Sequence, residues 1–118
     1  MKKVTTFTAQ IFVGLTEGYD GANHQVFEVS CICQDFVNEL GWCVSVTPTQ
    51  FVYKDGYENG AIVGIINYPR FPLEVPEIKN RTLKLAKLLM KEMKQYRVSV
   101  VFSDETIMLE NGRLKEKQ

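Results

Sequence analysis

The chain has 118 residues with 14 basic and 14 acidic side chains, so its formal net charge is zero. This length fits one domain of ordinary size, and a composition of 45% hydrophobic and 24% charged residues excludes a disordered chain. No apolar run approaches the roughly 20 residues of a membrane span. Zero net charge argues against a protein that coats nucleic acid polymers. The N-terminus lacks the apolar core of a signal peptide, so we expect a cytoplasmic protein.

The first half of the chain begins with a predicted strand and a predicted helix. Apolar and polar residues alternate from Val4 to Leu15, which is typical of a half-buried strand. Asn23 is a candidate N-cap for a helix that continues to about Leu40, because apolar residues then recur at steps of three or four. Gly41 is well placed as the left-handed residue that ends this helix.

Two further strands are predicted in the middle of the chain. One runs from Cys43 to Thr47 and continues from Phe51 to Lys54. Because Pro48 lies between the two parts, this strand belongs at a sheet edge or at a bulge. The dipeptides Asp55-Gly56 and Asn59-Gly60 are typical of turns. A continuous apolar run from Ala61 to Tyr68 then predicts a central strand.

The last third predicts a second helix and a final strand. Pro76 suits the first turn of a helix that extends to about Gln95. Arg97 to Phe102 is strongly typical of a strand, and Thr106 to Leu109 is a candidate for a further short one. The polar tail from about residue 111 is expected to be frayed.

The order strand, helix, strand, strand, helix, strand is the signature of a split β-α-β arrangement. We therefore predict a two-layer α+β fold over a single domain, residues 1–118, with two helices on one face of an antiparallel sheet in a ferredoxin-like order. The other sheet face then needs a cover, and self-association is the simplest one.

The three cysteines and the single histidine restrict the possible chemistry. Three cysteines cannot form a closed disulfide set within one chain. Cys31, Cys33 and Cys43 together with His24 make a poor zinc site, so we expect reduced cysteines and no bound metal or cofactor. Any Ser–His or Cys–His catalysis would need His24, whose position favours a helix-start residue.

The sequence carries no familiar catalytic motif. It has no Walker loop, no dinucleotide-binding fingerprint, no zinc-protease motif and no nucleophile elbow. Two pairs of acids, Glu17 with Asp20 and Asp104 with Glu105, are candidates for acid–base work. Both pairs lie in turn-like segments, where solvated acids are common.

The charge is divided unevenly between the two halves of the chain. Residues 1–60 carry three basic and seven acidic side chains, a net charge of −4, and residues 61–118 carry eleven basic and seven acidic ones, a net charge of +4. The second half also holds rings, guanidinium groups and an amide that suit a nucleotide pocket, namely Tyr68, Arg70, Phe71, Asn80 and Arg97. Each has a structural alternative as a core ring, a surface ion pair or an ordinary helix residue.

The segment Val63–Pro72, followed by the second helix and by Gln95–Val98, resembles the phage anti-Thoeris sponge family. The similarity spans the chain from Ile11 to Glu110. It implies a phage anti-defence protein without catalytic activity, which binds cyclic ADP-ribose isomers made by bacterial TIR-domain enzymes and prevents activation of the effector. It also implies a homo-oligomer, since some members are hexamers that hold cyclic oligonucleotides as well.

The resemblance further implies roles for the candidate site residues. Phe71 would stack on adenine, Asn80 would bind a base or ribose edge, and Arg97 would pair with the pyrophosphate. The pocket would draw on more than one protomer, and one length difference lies between Phe71 and Asn80. Arg70 and Tyr68 are candidates of second rank.

Two other classes of function stay open on the residues alone. One is a small ferredoxin-like enzyme that acts on a nucleotide, with His24 or the Glu17/Asp20 loop performing the acid–base work. The other is an oligomerisation or regulatory module without a small-molecule ligand. The fold does not separate them, because this architecture hosts all three classes.

Overall fold

The computed structural model describes residues 1–18 and 20–112. Within them, the elements follow in the order β1 (Thr8–Gly14), α1 (Val26–Leu40), β2 (Ser45–Tyr53), β3 (Gly56–Ile66), α2 (Val75–Glu92), β4 (Arg97–Phe102) and β5 (Thr106–Glu110). The strands pair antiparallel in the order β2-β3-β1-β4-β5. The predicted two-layer α+β fold with an antiparallel sheet is therefore confirmed.

The core lies between the helices and one face of the sheet. Alternate residues of β1, Ala9, Ile11 and Val13, are at most 1% exposed, and Leu85 and Leu89 of α2 are fully buried. Burial of each of the larger side chains in this set, such as Ile11 or Leu85, contributes about 1.5–3 kcal/mol. Because side chains alternate across a strand, this packing directs Phe12 and Gly14 to the opposite, helix-free face.

The helix-free face of the sheet is partly apolar. Phe12 of β1 and Phe51 of β2 lie 6.3 Å apart between ring centroids. Ile66 is 46% exposed and Met108 is 52% exposed. This face, which we call the open face, carries the candidate site described below.

The N-cap of α1 lies two residues after the predicted one. Asn23 Oδ1 accepts a hydrogen bond from Thr16 Oγ1 at 2.9 Å and so does not cap the helix. Gln25 occupies the N-cap position, and its backbone N–H donates to Glu28 Oε2 at 2.7 Å. The prediction of Asn23 as the cap was therefore wrong, because a loop partner engages its side chain.

Gly41 ends α1 in the left-handed conformation, with φ 65° and ψ 53°. Replacing it with Ala will destabilise the fold by about 1 kcal/mol, because only the backbone strain changes and no atom lies within 4 Å of the added Cβ. Urea denaturation of wild type, Gly41→Ala and Gly41→Asn measures this. The Asn variant tolerates the conformation better and will lose less; equal losses for Ala and Asn would contradict the explanation.

The β2–β3 hairpin corrects one predicted turn. Asp55, with φ 64°, stands at the hairpin turn as predicted. Asn59 and Gly60 instead lie inside β3, paired with Gln50 and Thr49. Gly60 lies beneath the Phe51 ring, and a Cβ there would come within 2.8 Å of Val13 O. Close packing between strands, and not a turn, explains this glycine.

The C-terminal third differs from the prediction at the end of α2 and agrees with it at β5. Helix α2 ends at Glu92 and not at Gln95, because Lys94 takes a φ of 51° and breaks the helix. The short strand predicted from Thr106 is present as β5. Most of the predicted frayed tail, residues 113–118, lies outside the described residues, while Asn111 N donates to Tyr96 O at 2.8 Å.

Pro48 lies on β2, which pairs only with β3 and forms one edge of the sheet. The predicted edge position of this proline is therefore confirmed. In the part of the chain that the structure describes, no helix has the length and apolar character needed to cross a membrane.

Candidate functional site

A cleft of about 190 Å³ opens at one end of the open face. Strands β1, β2, β3 and β4 supply its floor and walls, and the loops before α1 and after α2 close one side. Its lining residues are Phe12, Gly14, Gly18, Phe51, Glu58, Gln95, Tyr96, Arg97 and Ser99. Because these come from four strands and two loops, only the folded sheet brings them together.

Glu58 is the carboxylate of the cleft. It lies on β3 opposite Phe51, and its Oε2 accepts a hydrogen bond from Thr16 N at 3.0 Å. Burial raises the pKa of Glu58 above its ordinary value, and the hydrogen bond from Thr16 opposes part of that rise. A half-buried carboxylate with one fixed partner keeps acceptor capacity for a bound ligand.

Gln95 lies beside this carboxylate and is only 5% exposed. Its Nε2 donates to Thr16 O at 2.8 Å and to Met93 O at 3.0 Å. The peptide groups of Thr16 therefore hold both Glu58, through N–H, and Gln95, through C=O. The small size of Gly14 makes room for them, because a Cβ there would lie 2.5 Å from Glu58 Oε2 and 2.6 Å from Gln95 Oε1.

Aromatic rings and a guanidinium group complete the cleft. Phe12 and Phe51 form its apolar floor, and the Tyr96 ring lies against Gly18. Arg97, 39% exposed, has its Nε 3.9 Å from Glu110 Oε2, a long and solvated ion pair. The cleft thus combines a negative group, a positive group and apolar rings.

The structure separates the residues that the sequence analysis grouped together. Tyr68, Arg70 and Phe71 follow the C-terminal end of β3, where Arg70 Cζ lies 5.6 Å from the Phe71 ring centroid. Arg97 lies beside the opposite end of β3, next to the Gly14–Gly60 pair. Asn80 is exposed on α2. Within one chain, only Arg97 of the five lines the cleft.

Glu58 and Gln95 were missed by the sequence analysis for a definite reason. The reading of Asn59-Gly60 as a turn placed Glu58 in a loop, and the overlong second helix placed Gln95 on its last turn. A period-two signal was present, however, since Glu58, Gly60, Ile62 and Gly64 alternate on one face of β3. The position of Gln95 depends on the helix break at Lys94, which no sequence pattern indicated.

A larger cleft of about 740 Å³ lies between the N-terminal segment and the start of α2. Two of its polar side chains, Asn67 and Glu77, already have partners within the chain. Asn67 donates to Thr5 O at 2.9 Å and accepts from Leu73 N at 3.1 Å, and Glu77 pairs with Arg81 at 2.7 Å. We therefore prefer the smaller cleft, where charged groups converge.

The other acids and the histidine considered from sequence lie outside the cleft. Asp104 and Glu105 both bind Lys79 Nζ, at 2.9 and 2.6 Å, so they form an ion-pair cluster and not an acid–base pair. Among the described residues, no group of three metal-binding side chains occurs. All three cysteines are free thiols, but Cys31 is exposed and only Cys33 is buried.

His24 lies two residues before the first residue of α1, as predicted for a helix-start residue. Its Nε2 lies 2.8 Å from Glu17 Oε2 and its Nδ1 lies 2.9 Å from Glu28 Oε1. The hydrogen bond with Glu28 raises the pKa of His24, burial opposes the rise, and Glu17 adds to it. This cluster ties the loop that carries Gly18 to the start of α1.

The His24 cluster predicts a pH dependence of folding stability. Because the folded-state pKa exceeds the ordinary 6.5, the stabilisation is complete below pH 6.5 and is lost as the pH rises through the raised value. The free energies of unfolding of wild type and His24→Gln, measured between about pH 6 and pH 9, will therefore converge as the pH rises. A constant difference between them would contradict a charged histidine.

Comparisons with known proteins point to one structural group. No known protein-family profile matches the sequence, and no curated protein sequence matches it significantly. A phage SAM lyase in complex with S-methyl-5'-thioadenosine superposes with a TM-score of 0.83 at 20% identity, covering 98% of this chain and 97% of that one. A phage SAM lyase in the apo state superposes with a TM-score of 0.80 at 22% identity, covering 92% of this chain and 92% of that one. These matches establish a shared fold.

The resemblance to the anti-Thoeris sponge family is wrong. The two structures compared above are SAM lyases, and one of them is in complex with S-methyl-5'-thioadenosine and not with a cyclic ADP-ribose isomer. The expectations of a non-enzymatic protein, of sequestered cyclic nucleotide signals and of a homo-oligomer or hexamer that holds them are therefore withdrawn.

The motif that suggested the sponge family has a structural explanation. Val63 and Ile65 are core residues of β3, and Asn67 holds the following turn through its bonds to Thr5 and Leu73. An apolar strand followed by a proline-containing turn serves packing in many folds. Such a segment therefore carries little information about a ligand.

Proposed function

We propose that this protein is an enzyme that cleaves S-adenosylmethionine (SAM) as a lyase and releases S-methyl-5'-thioadenosine, in the cytoplasm where SAM is made. The observation that carries the proposal is the match over 98% of the chain, at a TM-score of 0.83, to a SAM lyase that holds this thioether. The chemistry of the cleft supports it independently, as follows.

The cleft suits the charges of SAM. The amino acid end of SAM has an ammonium group and a carboxylate, which match Glu58 and Arg97 respectively. The sulfonium and the adenine suit aromatic faces such as Phe12 and Phe51. At about 190 Å³, the cleft is smaller than the roughly 300–1,000 Å³ that is usual for ligand pockets. It therefore holds only the amino acid end of SAM, and the adenosine extends over the open face of the sheet.

The bond that breaks follows from the proposed product. S-methyl-5'-thioadenosine keeps the methyl and adenosyl groups of SAM, so cleavage occurs between sulfur and the γ-carbon of the methionine portion. The electron pair of that bond goes to sulfur, which becomes a neutral thioether. A lyase adds no water. In the step that we propose, an oxygen of the substrate's own carboxylate bonds to the γ-carbon, and the second product is a five-membered lactone that keeps the protonated amine.

This reaction needs no general acid or general base from the protein, because no proton is transferred in it. The nucleophile and the leaving group belong to one molecule, so the enzyme accelerates the step by holding the two in line. The attack also neutralises the sulfonium and the carboxylate, and charge neutralisation is favoured where water is excluded. Neither His24 nor an acid pair is needed, in agreement with their positions outside the cleft.

The position of the protein's negative charge matters for the rate. A carboxylate beside the sulfonium would stabilise the substrate more than the transition state, because the sulfonium loses its charge during cleavage. The ammonium keeps its charge throughout. Glu58 therefore serves the reaction best by holding the ammonium, with the aromatic rings facing the sulfonium.

Incubation of the purified protein with SAM, followed by mass spectrometry, tests the proposed function. We expect S-methyl-5'-thioadenosine and the amino lactone to appear in equal amounts. S-adenosylhomocysteine, which lacks the sulfonium charge, serves as the control and will stay intact. Absence of the thioether product would overturn the proposal, and a vinyl amino acid in place of the lactone would replace ring closure with elimination.

Three earlier expectations remain as proposals beside this function. Arg97 keeps its predicted role in binding an anionic group, now a carboxylate. Ligand-binding roles for Tyr68, Arg70, Phe71 and Asn80 stay predictions. We also retain the prediction of a single domain over residues 1–118.

A further inference from the structure

The side chain of Gln95 has an orientation that its hydrogen bonds impose. Both protons of Nε2 are used, on Thr16 O at 2.8 Å and on Met93 O at 3.0 Å. Rotation of the amide by half a turn would place Oε1 against these two carbonyl oxygens, which cannot donate. Oε1 must therefore point away from them, as an acceptor.

Oε1 of Gln95 is directed into the cleft. It receives no hydrogen bond from a residue that the structure describes, although the side chain is 95% buried. Within the described part of the chain, no fully buried side-chain polar atom lacks a partner, so Oε1 must be accessible from the cleft. A buried acceptor of this kind is costly to leave unpaired, and a ligand with N–H or O–H donors would satisfy it.

Glu58 supplies a second acceptor next to the first. Its Oε2 and Gln95 Oε1 both lie within 2.6 Å of one point above Gly14, the position of a hypothetical Cβ. With Glu58 ionised, the pair offers one full negative charge and no hydrogen-bond donor. The complementary group is a small cation that carries several donors.

We infer that Gln95 is a specificity-determining residue that, together with Glu58, binds the primary ammonium group of the substrate. This inference rests on the proposed function and specifies which part of SAM occupies this corner of the cleft. SAM has two cationic groups, and the sulfonium has no N–H or O–H to donate. The ammonium has three donors and can satisfy both acceptors at once.

The kinetic signature of this role differs from that of a residue that acts on the reacting bond. The ammonium keeps its charge from substrate to transition state, so its contacts contribute equally to both. Loss of the Gln95 contact will therefore raise KM and leave kcat nearly unchanged. A residue that merely supports the fold would lower stability without a selective effect on amine recognition.

The test compares SAM with its deaminated analogue, in which hydrogen replaces the amino group. Wild-type protein will prefer SAM by roughly 10- to 150-fold or more in kcat/KM, the range for a hydrogen bond to a charged group. Gln95→Met, which has similar length but no amide, will show a preference reduced by at least about fivefold. Gln10→Met, on an exposed residue of the same sheet face outside the cleft, is the matched control and will keep the wild-type preference.

Each result separates this inference from the function on which it rests. Failure of wild type to bind or cleave SAM would overturn both. Cleavage of SAM with equal efficiency for the deaminated analogue would overturn the inference alone, as would an unchanged preference in Gln95→Met. If Gln95→Met does not fold, a ¹H–¹⁵N spectrum of the wild-type protein tests the inference instead. The side-chain amide signal of Gln95 will shift when SAM is added and will not shift with the deaminated analogue. Equal shifts with both compounds would overturn the inference.

Discussion

Replacing Glu58 with Gln will lower kcat/KM for SAM by roughly 10- to 150-fold, the value of a charge-assisted hydrogen bond of about 1.5–3 kcal/mol. The substitution keeps an oxygen that can accept the bond from Thr16 N, now 3.0 Å from Glu58 Oε2. Among the described residues that line the cleft, it removes the only negative charge. The loss therefore reports on the charge and not on the local fold.

Steady-state kinetics with SAM, alongside thermal unfolding, measures the effect of Glu58→Gln. The unfolding temperature should stay close to that of wild type, or rise slightly, because the replacement removes a charge that burial disfavours. Glu39→Gln, on an exposed residue of α1, serves as the control and will retain wild-type kinetics. Unchanged kinetics in Glu58→Gln would remove this carboxylate from the site.

Replacing Gly14 with Ala will reduce SAM binding by about tenfold or more while the protein remains folded. The new Cβ would come within 2.6 Å of both Glu58 Oε2 and Gln95 Oε1. Both atoms belong to the ends of flexible side chains, so they can move apart. Their movement breaks the convergence of two acceptors on one ligand group and fills the corner of the cleft.

Gly64→Ala is the matched control for Gly14→Ala. Gly64 pairs with Gln10 on the same face of the sheet, and its added Cβ would meet only Ser45 Oγ within 4 Å. The KM from steady-state kinetics compares the two variants with SAM, which is consumed, and isothermal titration calorimetry compares them with S-methyl-5'-thioadenosine. Loss of affinity in Gly14→Ala for SAM alone is expected, because the thioether lacks the amino acid end. An equal effect of both glycine substitutions would contradict a localised site.

Much of the fold could be predicted from local patterns. The alternation around Ile11 and the apolar steps of both helices reflect burial against one shared core, so their periods indicate the two-layer arrangement directly. Predictions failed where a contact from a distant segment overrides a local preference. Phe51 packs on Gly60 and keeps Asn59-Gly60 inside a strand, and Thr16 engages Asn23 and removes it from the helix cap.

The candidate site was less accessible to sequence reasoning than the fold. A single glutamate at Glu58 and a single glutamine at Gln95 form no motif, because their partner is the backbone of Thr16, far from both in sequence. Arg97 was found because arginines are few and this one opens a strand. The uneven charge distribution also led the sequence analysis to look for ligand-binding residues in the basic C-terminal half. The carboxylate of the cleft, Glu58, instead comes from the acidic N-terminal half.

The use of the Thr16 main chain as the common partner of Glu58 and Gln95 bears on how this site can evolve. Every amino acid except proline supplies the same N–H and C=O groups, so mutation at position 16 can vary the side chain without removing either anchor. Lineages that share the site can thus drift apart in sequence while the strands keep the geometry. A search by backbone geometry therefore suits this site better than a search by residue motif.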